Sequence, residues 1–144
     1  MSNSEQHPIT KTITAKKARK AAGLFNIGNI ISMLLPFPIG IFWVGFSMVV
    51  YAMNRHHPNE KVGYYTQQAA YRFYGIIGFV VVVAIFFGTE IRYWLITWAI
   101  CAGILIPWSI FDLIRIRKDT WQDCEYSENN TEQSGNERNK EDIE

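Results

Sequence analysis

A few polar side chains stand inside stretches that are otherwise apolar, and they are the residues whose types could do chemistry. Asp112 is the single acid of a long apolar segment, and Arg115 follows three residues later on the same helical face. A carboxylate in such a setting is a candidate for proton or cation coupling. Because Arg115, Arg117 and Lys118 lie within about one turn of it, the expected arrangement is an ion pair, Asp112–Arg115, near the end of the segment. Asn26, Asn29 and Ser32 recur three residues apart in another apolar stretch, with Gly23 and Gly28 beside them. Polar groups in hydrocarbon must find partners. This stripe is therefore expected to be either a helix-contact face or the polar lining of a pore.

Other constellations are missing. His56 and His57 are adjacent, so they point to different sides of a helix or turn, and no His-x-x-x-His spacing exists for a metal. The expected role is a polar turn, with no metal site. Cys101 and Cys124 are 23 residues apart, which is neither a metal nor a redox spacing. There is no Gly-rich phosphate loop, no Ser-His-Asp set and no paired-carboxylate motif. No catalytic residue, no cofactor and no enzymatic activity are expected. The basic run at residues 16–20 leads straight into an apolar segment, which suits anionic lipid rather than nucleic acid.

The elements that carry these residues follow from three chemically distinct segments. Residues 1–20 hold Lys11, Lys16, Lys17, Arg19 and Lys20 against one acid, Glu5. Residues 119–144 hold nine acids against Arg138 and Lys140. Between them lie two runs without any charge, 73–88 and 93–111. A soluble protein of this length could not cover two such helices, whereas a bilayer can, about 20 residues of helix crossing its core. The chain is read as an all-α integral membrane helical bundle. A polar N-terminal segment, 1–13, precedes a helical domain, 14–118, and a disordered acidic tail, 119–144. Thr14 is the expected N-cap of a helix over 15–35. Pro36-Phe37-Pro38 breaks it, since two prolines remove two amide donors and push Leu35 and Phe37 out of the α region. Further helices are expected over 39–54, 63–87 and 91–117, with Pro107 bending the last. The run before Pro36 lacks a small-x-small cleavage pattern and is expected to be retained.

Residues 24–53 form either one kinked span or a hairpin of two short ones. Charge decides, because cytoplasmic flanks collect Lys and Arg. Three spans would put six basic residues on each side. Four spans put eleven on one side and only Arg92 on the other. The expectation is thus four transmembrane helices, a short hairpin broken at residues 36–38 and then a second hairpin, with both termini cytoplasmic.

Three stretches, Pro38-Ile39-Gly40-Ile41-Phe42-Trp43-Val44-Gly45, Asn54-Arg55-His56-His57-Pro58 and Val62-Gly63-Tyr64-Tyr65-Thr66-Gln67-Gln68-Ala69-Ala70, occur in a recognisable order. Over residues 24–116 the chain resembles a family of small bacterial four-helix membrane proteins of unknown function, itself distantly like the channel-type subunit of the chloroplast inner-envelope translocon. Where that family often carries histidine before its glutamine-alanine element, this chain has Tyr65-Thr66. The resemblance implies four helices in the bacterial inner membrane and no activity. The expected role is a non-enzymatic accessory or interaction subunit, the alternative being a channel or transporter component. The expected partners are the lipid bilayer and either other membrane subunits or a second copy.

Overall fold

A computed structural model describes residues 10–88 and 90–127. In chain order these form strand β1 (Thr10–Ile13), helix α1 (Ala15–Leu34), a π-helical turn (Pro36–Gly40), α2 (Ile41–Arg55), α3 (Glu60–Phe87), α4 (Ile91–Lys118) and strand β2 (Cys124–Ser127). The molecule is mostly helical. Three helical segments are long and apolar enough to cross a membrane: Pro36–Arg55, Glu60–Phe87 and Ile91–Lys118.

The sequence explains where each helix stops. α1 ends at Leu34 because Pro36 and Pro38 follow, and Phe37 has the non-helical angles φ −125° and ψ 129°. The turn reverses the chain, so Trp43 of α2 lies against Asn29 of α1 and Asn54 reaches Ala21. α3 begins at Glu60, three residues earlier than the pattern indicated, because the Asn59 side chain accepts the Lys61 N–H at 3.1 Å and caps the helix. It ends at Gly88, whose positive φ of 67° with ψ of −149° is a conformation that glycine adopts freely.

α1 occupies the middle of the bundle, packing on α2, α3 and α4. Its buried face carries Ala18, Ala22, Phe25, Asn26, Asn29 and Ser32, while Leu24, Ile27, Ile31 and Leu34 lie 43–61% exposed on the opposite stripe. α1 alone falls outside the apolar spans because Lys16, Lys17, Arg19 and Lys20 occupy its first turns. Two packed clusters follow its length. One joins Ala18 and Ala22 to Val62, Tyr65 and Ile116; the other joins Phe25 to Trp43, Val50, Ala69, Ala70, Phe73 and Leu105. Of the glycines whose small size suits close helix packing, Gly23, Gly28 and Gly40 lie against neighbouring segments, as does Gly63, whereas Gly45, Gly75 and Gly78 have open space around them.

The ends of the chain correct two expectations. Residues 10–13 of the polar N-terminal segment and 124–127 of the tail expected to be disordered pair as an antiparallel two-stranded sheet, Thr10 opposite Ser127 and Ile13 opposite Cys124, while 1–9 lie outside the described residues. The remainder of the tail, 128–144, lies outside the described residues. Thr14 holds the N-cap position without a side-chain hydrogen bond; Asp123 Oδ1 accepts the Ala15 N–H at 2.6 Å instead. A carboxylate suits a helix N-terminus, where unpaired N–H groups and the helix dipole favour negative charge. Local sequence could not show this cap because it arrives from 108 residues away.

Candidate functional site

Three polar assemblies run through or cap the bundle. The first is the α1 stripe. Asn26, Asn29 and Ser32 are 0–1% exposed and face the other helices. Asn29 Oδ1 accepts a hydrogen bond from Trp43 Nε1 at 2.9 Å, and Ser32 Oγ donates to the Asn29 carbonyl at 2.9 Å. The Trp43 indole lies against Gly28, whose missing side chain makes room for it. Phe25 packs edge-on against Trp43, Phe73 and Tyr74. Among the described residues three buried polar atoms have no hydrogen-bond partner: Asn26 Nδ2, Asn29 Nδ2 and Thr66 Oγ1. Ser32 also lines, with Thr97, an otherwise apolar cavity of about 700 Å³ among the ends of α1, α2, α3 and α4 that adjoin Pro36 and Ile91.

The second assembly is a charge pair. Asp112, 2% exposed, is bonded to Arg72 of α3. Among the described residues it makes no ion pair with Arg115, so the expected Asp112–Arg115 pair is corrected. The reason is facing. Asp112 looks into the α3–α4 contact, whereas Arg115 is exposed. Arg72 reaches it because helical side chains lean toward the N-terminus of their helix. Its guanidinium also donates to Gln68 Oε1 at 3.0 Å and lies 4.9 Å from the centroid of the Trp108 ring. A planar, delocalised cation with a carboxylate, an amide and an aromatic face around it is well compensated at depth.

The third assembly is the lid formed around β1 and β2. Lys61 Nζ donates to Asp119 Oδ1 and to the Thr120 carbonyl, both at 2.7 Å. Tyr65 Oη donates to Asp119 Oδ2 at 3.1 Å, and Trp121 Nε1 donates to the Ile116 carbonyl at 2.8 Å. Lys61 hydrogen bonding, with Tyr65 adding to it, holds the Asp119 carboxyl below the ordinary carboxylate range. The resulting stabilisation is complete at neutral pH and is lost as pH falls through that depressed value. Acid titration of Trp121 fluorescence should therefore show the lid loosening in that acidic window. Asp119→Asn should abolish the step, and an unchanged step in that variant contradicts the assignment.

His57 sits in the α2–α3 turn, where its Nδ1 accepts the Asn59 N–H at 3.1 Å and burial pushes its pKa below the ordinary value. Among the described residues no three His, Cys, Asp or Glu side chains are grouped so as to hold a metal ion. Cys101 is buried and Cys124 half-buried, both free thiols.

Sequence reasoning missed Arg72, Trp43, Trp108 and the Lys61–Asp119 contact. Arg72 was discoverable in principle. It is the last charge before the uncharged run on α3, as Asp112 is the first after the uncharged run on α4, and a hairpin brings two such boundaries to similar depth.

Fold and sites together define a mostly helical protein with three helices long and apolar enough to cross a membrane, and with polar side chains such as Asn29, Ser47, Thr66 and Asp112 buried between helices. No family model matches the chain, and comparison with curated proteins and with solved structures found no match.

Proposed function

We propose that this chain is a small four-span protein of the bacterial inner membrane, with both termini cytoplasmic, acting as a non-enzymatic accessory or interaction subunit. One observation carries the membrane reading: the distribution of polarity is inverted relative to a water-soluble fold. Phe42, Met53, Ile85, Phe86 and Ile91 are 69–77% exposed on the outside, while Asn29, Ser47, Thr66 and Asp112 are at most 2% exposed within. Water would penalise such a surface, and hydrocarbon rewards it. The position of α1 supports its counting as the fourth span. It turns back on α2, and beyond its basic first turns, 16–20, its exposed stripe is aliphatic: Leu24, Ile27, Ile31 and Leu34.

Orientation rests on charge. In the four-helix arrangement Lys16, Arg19, Arg55, Lys61, Arg115 and Lys118 all fall at one end, with Arg92 alone at the other. A reporter that fluoresces only in the cytoplasm, fused after residue 144, should be active; an active periplasmic reporter at the same point contradicts this topology. The resemblance to small bacterial four-helix membrane proteins agrees with the helix order but brings no activity with it.

A second reading, a channel or transporter component, is favoured by the unpartnered donors of Asn26 and Asn29 and by the buried Arg72–Asp112 pair. Reconstituted vesicles should then show an ion or solute flux that Asp112→Asn removes without lowering the amount of protein inserted. Absence of flux in every oligomeric state removes this reading.

A further inference from the structure

At the end of the bundle where β1 and β2 pair, a groove of about 280 Å³ separates the first turns of α1 from the last turns of α4. Its rim is cationic: Lys16, Arg19 and Lys20 from one helix and Arg117 from the other. All four are exposed, and none forms an ion pair among the described residues. Three acids of α4 and the segment after it are engaged elsewhere, Asp112 with Arg72, Asp119 with Lys61 and Asp123 with the Ala15 N–H. Four like charges around one depression repel each other unless an anion joins them.

The floor is apolar. Gly23 opens the groove, since a Cβ there would come within 3.3 Å of Leu113. Leu113 and Ile116 form the back wall, and Ile27, 45% exposed, leads on to Leu24 and Ile31 along the outward stripe of α1. A free phosphate has no use for such a floor. An amphiphile does, because its charged group can sit on the rim while its chain continues down the aliphatic stripe.

We propose that this groove binds one anionic phospholipid, its phosphate held by Lys16, Arg19, Lys20 and Arg117 and an acyl chain lying over Ile27. Basic depressions between membrane helices suit such headgroups, each cation near the surface contributing about 1 kcal/mol. The site rests on the membrane reading above and goes beyond it by naming a lipid class and the side chains that select it.

The test uses the full-length chain in detergent with equal amounts of phosphatidylglycerol and phosphatidylcholine, read by native mass spectrometry. One phosphatidylglycerol should be retained per chain in preference to phosphatidylcholine. Replacing Lys16, Arg19 and Lys20 together by Gln should weaken its retention roughly 100-fold. Replacing Lys17, Arg115 and Lys118 by Gln makes the same change of charge outside the groove and should leave retention within a few-fold. Inorganic phosphate should not compete. Equal loss in both triple variants would reveal a diffuse field and overturn the site, as would competition by phosphate or retention of phosphatidylcholine equal to phosphatidylglycerol. The wild-type preference depends on no variant folding. A chain that alkaline carbonate strips from membranes would refute the membrane reading itself; a chain that stays inserted without lipid preference refutes the site alone.

Discussion

Replacing Arg72 by Leu should destabilise the folded bundle by about 3–5 kcal/mol, the usual consequence of leaving one member of a buried ion pair without its partner. Asp112 is only 2% exposed and faces α3, so it has no route to water when the guanidinium is removed. The reverse substitution, Asp112→Leu, should cost less. Arg72 keeps 24% of its side chain exposed and rests on the Trp108 ring, so it can extend along its flexible stem toward the headgroups. The double variant should recover much of the loss of Arg72→Leu, because two apolar side chains of similar volume pack where the pair stood. Unfolding by denaturing detergent, followed by circular dichroism, gives the three values. Equal stability of Arg72→Leu and the wild type would mean that the pair is not buried as described.

A second large effect is expected at Gly28. A Cβ built there lies 2.0 Å from two carbons of the Trp43 indole, a distance no packed atoms tolerate. Gly28→Ala should therefore cost about 1–3 kcal/mol by overpacking, outweighing the gain of up to about 1 kcal/mol that Ala normally brings to a helix. Displacing Trp43 also strips Asn29 Oδ1 of its donor, and a buried acceptor without a partner costs about 1–3 kcal/mol more. In a Trp43→Leu background the ring is gone, so adding Gly28→Ala should cost nothing further. Gly75→Ala, with nothing within 4 Å of the new methyl, is the matching control. Equal effects at Gly28 and Gly75 would contradict the described α1–α2 contact.

The helices were legible because membrane helices announce themselves locally. Uncharged runs, the Pro36-Phe37-Pro38 break and the polar turn at His57-Pro58-Asn59 mark boundaries within a few residues of those observed. That Asn26, Asn29 and Ser32 turn toward other helices also followed from simple reasoning, since lipid offers them no hydrogen bonds. What stayed hidden depends on pairing across long separations. Asp112 was matched to Arg115 because helical spacing is all that a linear reading can measure. Its partner is 40 residues away, and the choice depends on which way each side chain faces. The lid was hidden for the same reason. Residues 10–13 and 124–127 are short and polar, with little sign of strand pattern, and pair only because α1 and α4 carry them to the same end of the bundle. Glycine content alone does not separate Gly23, Gly28 and Gly40, which lie against neighbouring segments, from Gly45, Gly75 and Gly78, which face open space; contact geometry does.

The most direct test concerns the medium in which the chain folds. Membranes from cells producing it should be washed with alkaline carbonate and spun at high speed. The chain should stay entirely in the pellet and enter solution as a folded helical species only with detergent. A monodisperse helical protein in the detergent-free supernatant would contradict the account, because the aliphatic surface of these helices could not then be the face presented to lipid.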